Sequence, residues 1–355
     1  MKPDLLSLLR IAHPIISAPM AGVSTPALAA AVSNAGGLGA IAVGHGSAAQ
    51  ARSAIDALRG LTDRPFSVNV FCHRPVVPDP AREAAWLDWL APHFAAFGVA
   101  PPATLSTIYN TFVDDDAMLE LFLELRPPSV SFHFGLPDAH RIRALQDAGI
   151  VLLASATTPW EARQVEEAGI DVVVAQGYEA GGHRGTFDPE NGDAAIGTFA
   201  LLPLVAQAVR IPVVAAGGIM NGAGIAAALR LGAQGAQLGT AFIPCPESSA
   251  TGHHRALLAA GDAGITAVTD AISGRPARGL VNRQFSDVGA PARPPVPDYP
   301  IAYDAAKALN AAATKNGNQD YSVNWAGQAF ALARAMPAAE LVATLVRELA
   351  AREGV

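Results

Sequence analysis

The chain of 355 residues has few cysteines, little charge and no basic run, and each scarcity excludes a class of protein. Its two cysteines, Cys72 and Cys245, lie far apart and form no CxxC pair, which argues against a disulfide framework or a structural zinc site. Only 15% of the residues are charged, and the net charge is -7. Because nucleic-acid binding depends on clustered Lys and Arg, we exclude nucleic acid as a partner.

Long hydrophobic runs are also absent. No apolar run reaches the roughly 18 residues of a membrane span. The leucine-rich N-terminal stretch carries Asp4 and Arg10, so it does not have the features of a signal peptide. We therefore expect a cytoplasmic protein with two free thiols, no metal and no membrane partner. The oligomeric state is not readable from the sequence.

Short apolar runs alternate with Ala- and Leu-rich helical segments up to about residue 240, which is typical of repeated βα units around a parallel sheet. Two consecutive units end alike, in Asp147–Ile150 and Glu167–Ile170, where a glycine ends a helix before the next strand. Eight strands are predicted, at Ile15–Ala18, Gly39–Ala42, Phe66–Val70, Ser129–His133, Val151–Ala154, Asp171–Ala175, Pro212–Ala215 and Ala236–Leu238.

A closed α/β TIM (β/α)8 barrel and an open doubly wound sheet both fit eight such strands. We favour the barrel because the glycine-rich and polar candidate residues all follow strands and would share one rim. Two insertions, residues 74–110 and 246–327, interrupt the repeat with Pro-rich links and helices. We expect them to pack together as a smaller, mostly helical substrate-covering domain. Residues 1–73 and 111–245 would form the barrel, with a C-terminal helix at about 328–355 packing back on it.

The segment Gln176–Gly185 (QGYEAGGHRG) places a histidine inside a glycine loop directly after a predicted buried strand. Its glycines allow a flat cofactor or a phosphate to approach the main chain. His183 is the group in this loop that can exchange a proton near neutral pH. Taken alone, the pattern fits an ordinary turn with a solvated histidine equally well.

The loops Ala216–Ile219 and Gln237–Thr240 follow the last two predicted strands, where many barrels bind a phosphate through backbone N–H groups. The fingerprint-like GLGAIA at residues 37–42 leads into a strand rather than a helix, so we discard a dinucleotide site and expect a mononucleotide. Amide side chains at strand ends suit the polar edges of a flat ring, although any one of them could be a satisfied core group. These amides belong to Asn69, Gln176 and Gln237.

Tyr299, Tyr303 and Lys307 are spaced at i, i+4 and i+8, so they would share one helix face if Pro300 starts a helix. Such a face offers phenol hydrogen bonds and a cation to an anionic substrate. An ordinary amphipathic helix with a solvated lysine fits equally well.

Several further polar groups are predicted to be structural. His253 and His254 are expected to be solvated helix residues, and residues 114–116 (DDD) to cap a helix rather than to bind metal. Thr158 and Glu161 are expected to form a capping box at the start of another helix.

Eight segments occur in order along nearly the whole chain: PMAGVSTPALAAAVSNAGGLGAIA, FSVNVF, SFHFGLP, QGYEAGGHRG, PVVAAGGI, GAQLGTAF, GRPARGLVNR and WAGQ. Together they resemble the motif series of bacterial nitronate monooxygenases, the 2-nitropropane dioxygenase family. EAGGHRG and GRPARGLVNR are the most distinctive of them.

The resemblance implies an FMN-dependent enzyme that oxidises alkyl nitronates, such as propionate 3-nitronate, and neutral nitroalkanes with O2. The products would be a carbonyl compound and nitrite, formed through a flavin semiquinone without NAD(P)H. His183 would be the base that removes the α-proton of a neutral nitroalkane. The residues implied for FMN are Met20, Asn69, Gln176, Gly181, Gly217, Gly218, Gln237, Leu238, Gly239 and Thr240. Those implied for the substrate are Tyr109, His133, Tyr299, Tyr303 and Lys307.

Two other functions remain open at this point. One is an FMN-dependent NAD(P)H reductase of the enoyl-ACP or quinone reductase type, which shares the barrel and the glycine-histidine loop. The other is a flavin-binding protein without activity, against which the presence of His183 and Lys307 argues.

Overall fold

The computed structural model describes residues 4–261 and 264–353. Positions 1–3, 262–263 and 354–355, which fall in the predicted barrel, insertion and C-terminal segments, lie outside the described residues. Within the described ranges the strands are β1 Ile15–Ser17, β2 Gly39–Ala42, β3 Phe66–Phe71, β4 Ser129–His133, β5 Val151–Ala156, β6 Val172–Gln176, β7 Gly182–His183, β8 Val213–Ala216, β9 Gly235–Leu238, β10 Thr266–Thr269 and β11 Ala277–Leu280.

Eight of these strands form one parallel sheet in the order β1-β9-β8-β6-β5-β4-β3-β2. A parallel bridge between Ile16 and Leu38 joins the two outer strands and closes the sheet. The fold is therefore a TIM barrel and not an open doubly wound sheet, as predicted. The eight predicted strands match the eight barrel strands to within one or two residues at each end.

Helices surround the barrel and continue beyond it. Within the same ranges the α-helices are α1 Leu5–Leu9, α2 Pro26–Asn34, α3 Ala48–Arg59, α4 Pro80–Ala95, α5 Asp116–Leu125, α6 Ala139–Asp147, α7 Pro159–Glu167, α8 Thr198–Ala208, α9 Gly222–Arg230, α10 Gly252–Ala259, α11 Ile301–Lys315 and α12 Ala338–Glu353. Short 3₁₀ turns lie at Pro189–Asn191, Thr240–Phe242 and Phe330–Leu332, and a π-helical turn lies at Gln284–Val288. In this part of the chain, no helix has both the length and the apolar character needed to cross a membrane.

Alternation along the barrel strands divides the core into two layers. Val173 of β6 packs outward into the large cluster under the helices, while Val172 and Val174 pack into a separate cluster inside the barrel. Leu5 and Leu9 of α1 belong to this inner cluster and close its lower end. Because both faces of each strand are covered, the strand sequences are mainly apolar.

Local sequence signals start and end the helices. Thr158 accepts a hydrogen bond from the Glu161 N–H at the start of α7. The second half of the predicted capping box is wrong. The Glu161 carboxylate accepts hydrogen bonds from the N–H and hydroxyl of Thr157, not from the N–H of Thr158. Asp115 caps α5 as predicted, by accepting from the Met118 N–H. Gly149 and Gly169 follow their helices with φ of 78° and 87°.

A second apolar cluster lies outside the barrel. Trp86, Leu90 and Phe94 of α4 pack against α11, whose contribution includes Ala305 and Leu309. The described chain also contains an antiparallel sheet in the order β10-β11-β7. This sheet was not predicted from the sequence. It ties the glycine loop that contains β7 to the chain segment after residue 264.

Candidate active site

A cavity of about 770 Å³ opens at the carboxyl ends of the barrel strands. The barrel contributes side chains that follow β1, β3, β4, β6, β8 and β9. A second wall comes from α11, and a third from the segments 249–254 and 322–327. This volume is typical of a site that holds a cofactor together with a small substrate.

The backbone of His183 is held firmly on two sides. In β7 it pairs with Ala277 of β11. Its carbonyl oxygen accepts hydrogen bonds from Gln176 Nε2 at 3.0 Å and His133 Nε2 at 3.2 Å. Since these partners come from the barrel rim, the loop is fixed to both the barrel and the antiparallel sheet.

Arg184 anchors the same loop from below. Its side chain is fully buried and forms two hydrogen bonds with the Asp193 carboxylate, the shorter at 2.6 Å. Its Nη1 donates to the carbonyls of Gln176 and Gly177. A buried guanidinium with all these partners gives the glycine loop one conformation.

The imidazole of His183 is enclosed by aromatic edges. Ring centroids of Trp325, Tyr299 and Phe134 lie 5.3, 5.5 and 5.6 Å away. Loss of solvent, together with the smaller effects of the neighbouring His133 and Arg275, lowers the pKa of His183 to about 3. The ring is therefore neutral at physiological pH and can accept a proton.

Lys307 brings a positive charge to the same cavity. Its Nζ donates to the Tyr109 hydroxyl at 2.6 Å and lies 5.3 Å from the centre of the Tyr303 ring. Among the residues that the structure describes, no carboxylate forms an ion pair with it. Desolvation lowers the pKa of Lys307 and raises that of Tyr109 to about 12. An ammonium and a phenol without an anionic partner form an attractive site for a small anion.

The loops after β8 and β9 form a glycine cradle in the same cavity. Gly217 and Gly218 adopt φ of 113° and 74°, which favour glycine. The N–H groups of Gly218 and Gly239 donate no hydrogen bond within the described ranges. A Cβ on Gly239 would lie 3.3 Å from the Ala18 Cβ and 3.6 Å from the Met20 Sδ. The main chain of Gly239 therefore packs closely against these two side chains.

The three candidate amides differ in how many hydrogen bonds they already make within the described chain. Gln237 makes no side-chain hydrogen bond in the described chain, and Asn69 uses only its Nδ2, which donates to Ser131. Gln176 uses both ends of its amide inside the loop, since its Oε1 accepts from the Gly185 N–H at 2.7 Å. Gln237 and Asn69 can therefore offer polar atoms to a ligand, whereas Gln176 mainly holds the loop.

The cavity brings together all but one of the residues expected to form the site. The exception is Leu238, whose side chain is buried in the barrel wall. His133 lines the cavity, but Ser155 and the His183 carbonyl engage both ring nitrogens. The expected solvation of His254 is wrong: α10 turns this side chain inward, where it is 5% exposed and lines the cavity. The others in the cavity are Met20, Asn69, Tyr109, Gln176, Gly181, His183, Gly217, Gly218, Gln237, Gly239, Thr240, Tyr299, Tyr303 and Lys307.

Several residues around His183 were not predicted from the sequence. Phe134, whose φ is 76°, packs edge to face with the His183 ring. The Arg275 guanidinium lies 4.4 Å from the centre of the Phe134 ring. Ser273 lies within hydrogen-bond distance of the His183 ring, and Trp325 covers it. Arg275 and Trp325 belong to GRPARGLVNR and WAGQ, so the motifs contained a signal for them. Ser273 precedes its motif and had none.

This fold and cavity define a class of protein, an α/β barrel with a ligand-sized cavity that His183 and Lys307 line at the carboxyl rim. Comparison with known proteins identifies the family. The sequence model of the nitronate monooxygenase family matches residues 2–348, so the chain belongs to this family of oxidoreductases.

Two bacterial relatives are similar over nearly their whole length. The chain is 60% identical to the nitronate monooxygenase of Pseudomonas aeruginosa over 96% of this chain and 97% of that protein. It is 62% identical to the nitronate monooxygenase of Paraburkholderia phytofirmans over 98% of this chain and 95% of that protein.

Two solved structures share the fold. The nitroalkane oxidase of Streptomyces ansochromogenes superposes with a TM-score of 0.88 at 44% identity, covering 99% of both chains. FabK from Thermotoga maritima gives a TM-score of 0.73 at 30% identity, covering 100% of this chain and 98% of that one.

Proposed function

We propose that the protein is an FMN-dependent nitronate monooxygenase that converts alkyl nitronates and O2 to carbonyl compounds and nitrite without NAD(P)H. Neutral nitroalkanes are a second substrate class, after removal of their α-proton. When bound, FMN supplies the electron transfer between the nitronate and O2. The protein's residues bind the two molecules, orient them and handle the proton.

The residues of the glycine cradle fit FMN. The N–H groups of Gly218 and Gly239, which have no acceptor among the described residues, suit a phosphate, because backbone donors at such loops bind anions without side-chain charge. Gln237 and the Oδ1 of Asn69 also have no partner in the part of the chain that the structure describes, and can hydrogen-bond the polar edge of a flat ring. Met20, which lines the same cavity beside Gly239, would face that ring.

One observation carries the proposal: a neutral histidine and an ammonium with no carboxylate partner in the described chain share one cavity with this cradle. Lys307 and the Tyr109 hydroxyl would bind the negative oxygens of a nitronate or nitro group. His183, with its pKa lowered to about 3, would take the α-proton of a neutral nitroalkane. A nitronate is already deprotonated, so it needs the cation but not the base.

We further propose that the second apolar cluster is the substrate-covering domain. It includes residues from both insertions, Trp86 and Leu90 from 74–110 and Ala305 and Leu309 from 246–327. Because α11 also carries Tyr303 and Lys307, this domain would place the substrate-binding face and exclude bulk water from the site.

The purified protein with its bound cofactor tests this proposal. We expect FMN to be released on denaturation, and nitrite to form from propionate 3-nitronate in air without NAD(P)H. A colourless preparation that does not take up FMN would contradict the cofactor. Rapid NAD(P)H consumption without a nitro compound would support the reductase alternative instead.

A further inference from the structure

The imidazole of His183 has two nitrogens, and the structure provides a partner for only one of them. Nε2 lies 2.8 Å from the Ser273 Oγ, whereas Nδ1 makes no hydrogen bond within the described ranges. We infer that Ser273 is a positioning residue that holds His183 as the Nε2-protonated tautomer, so that Nδ1 carries the basic lone pair. This inference rests on the proposed function, because it assigns the atom that receives the α-proton.

The donors and acceptors around Ser273 decide the tautomer. Ser273 is fully buried and has a single O–H, which donates to the Arg275 carbonyl at 3.1 Å. Its oxygen also accepts from the Arg275 N–H at 3.3 Å. With the hydroxyl proton committed to this carbonyl, the remaining lone pair can only accept, and therefore Nε2 of His183 must carry a proton.

The opposite assignment leaves a buried group unpaired. If the Ser273 hydroxyl donated to Nε2, the Arg275 carbonyl would lose its hydrogen bond, and the structure shows no other donor to it. An unpaired buried carbonyl costs about 1–3 kcal/mol. The Nε2–H tautomer satisfies all three groups at once.

The geometry also fixes the direction of the ring. The His183 peptide is held by β11, Gln176 and His133, and the rings of Trp325 and Tyr299 restrict its side chain. His183 lines the active-site cavity. A ring that is tied to Ser273 by one nitrogen therefore keeps its other nitrogen available to a substrate.

The proposed step transfers one proton and involves no oxidation or reduction. The α-proton of a neutral nitroalkane moves to Nδ1, and the C–H electron pair passes into the nitro group, so an imidazolium and a nitronate anion form. The titratable groups that face His183 are His133, Arg275, Tyr299 and Tyr303. Ser273 accepts from Nε2–H both before and after the transfer, so it orients the base without opposing its protonation.

Nitrogen NMR of the holoenzyme tests the tautomer directly. The protein is labelled with ¹⁵N-histidine, and the signal of His183 among the nine histidines is assigned by its loss in His183→Ala. We expect the wild type to show a protonated Nε2 and an unprotonated Nδ1 at neutral pH. In Ser273→Ala the two tautomers should mix or reverse. A protonated Nδ1 in the wild type, or an unchanged tautomer in Ser273→Ala, would overturn the inference.

Kinetics separate this role from a structural one. Ser273→Ala should lower kcat/KM for a neutral nitroalkane by about 10- to 100-fold, since a misdirected general base loses much of its effect. The loss on a preformed nitronate should be much smaller, and Ser273→Thr should restore most of the rate. Ser286→Ala, an exposed serine in the same segment, is the matched control.

Equal losses on both substrates would show that Ser273 only supports the fold, which contradicts the inference. If the wild type oxidised no nitronate at all, the proposed function would fail, whereas the NMR measurement would still report whether Ser273 sets the tautomer.

Discussion

At the scale of single residues, the lowered pKa of His183 comes from what surrounds its ring. The barrel supplies His133, the antiparallel sheet supplies its backbone partner, and the chain beyond residue 264 supplies Ser273, Arg275, Tyr299 and Trp325. Together they remove water and lower the pKa of His183 to about 3. An anionic product in the cavity would raise this pKa again, because an opposite charge favours the protonated ring.

His183→Ala should separate the two substrate classes. We expect kcat/KM for neutral nitroalkanes to fall by about 10²- to 10⁴-fold, because the variant has lost its general base. Preformed nitronates should lose far less, since their proton is already gone. Steady-state assays with matched nitroalkane and nitronate pairs measure this ratio. The exposed His140→Ala serves as the control, and equal losses on both substrates would exclude proton abstraction as the role of His183.

Lys307→Ala should weaken substrate binding while FMN is retained. The ammonium pairs with the Tyr109 hydroxyl and with no carboxylate in the described chain, so an anionic substrate would lose its one charged partner on α11. We expect KM for nitronates to rise about 10-fold or more, as for a lost charge-assisted hydrogen bond. Lys315→Ala, at the exposed end of the same helix, should leave KM unchanged. A loss of FMN with an unchanged KM would contradict this assignment.

Candidate site residues were easier to predict from the sequence than the neighbours of those residues. Tyr299, Tyr303 and Lys307 were found by helical spacing, because α11 begins directly after Pro300. His254 was misjudged because two adjacent histidines in a helix look solvated until the neighbours of that helix are known. Ser273 carries no pattern, since its importance comes entirely from its contact with His183.

At the scale of elements, the glycine loop is held against the segment that carries Trp325. A Cβ on Gly181 would lie 2.5 Å from the Gly327 nitrogen and 2.6 Å from the Ala326 carbonyl carbon. These are backbone atoms that cannot move aside cheaply. The absence of a side chain at Gly181 therefore allows two chain segments to meet beside the cavity.

Gly181→Ala should consequently destabilise the protein by about 1–3 kcal/mol, the usual cost of overpacking, and weaken FMN binding. Urea unfolding of the holoenzyme and FMN titration measure the two effects. Gly60→Ala is the control, because Gly60 is exposed outside the cavity and a Cβ there makes only ordinary contacts at 3.5 Å or more. If the two variants were equally stable, the contact between the loop and residues 326–327 would not be tight.

The barrel elements were predictable, whereas the antiparallel sheet was not. Short apolar runs and helix caps repeat through the barrel, and each one is a local signal. In contrast, β7 has two residues, and β10 and β11 are partly polar four-residue strands. Such short strands are stabilised by pairing with distant chain segments, which periodicity does not show.

At the scale of the whole molecule, six histidines lose solvent on folding, and each has a lowered pKa as a result. The decrease is largest for four of them. Desolvation lowers the pKa of His73, His133 and His254 to about 4, and that of His183 to about 3. In the unfolded chain each returns toward its ordinary pKa of about 6.5. Between these values the unfolded state binds more protons than the folded state, so the free energy of unfolding falls as the pH decreases.

We therefore expect the protein to be most stable above pH 6.5 and to lose stability progressively between pH 6.5 and 4. Calorimetry at pH 5 in buffers of different ionisation enthalpy should show an uptake of at least about three protons on unfolding. His254→Gln should reduce this uptake by about one. An uptake near zero at pH 5 would mean that these rings are already protonated, or still solvated, in the folded protein.

The sequence by itself determined the barrel, its strand positions and the glycine loops, because periodicity, helix caps and turn glycines act over a few neighbouring residues. Only the tertiary structure decided which groups surround the histidine of the glycine loop, how strongly its pKa is lowered and which of its nitrogens is free. Those properties depend on desolvation and on contacts between residues about 90 to 140 positions apart, such as His183 with Ser273 and Trp325. No local pattern encodes such distances.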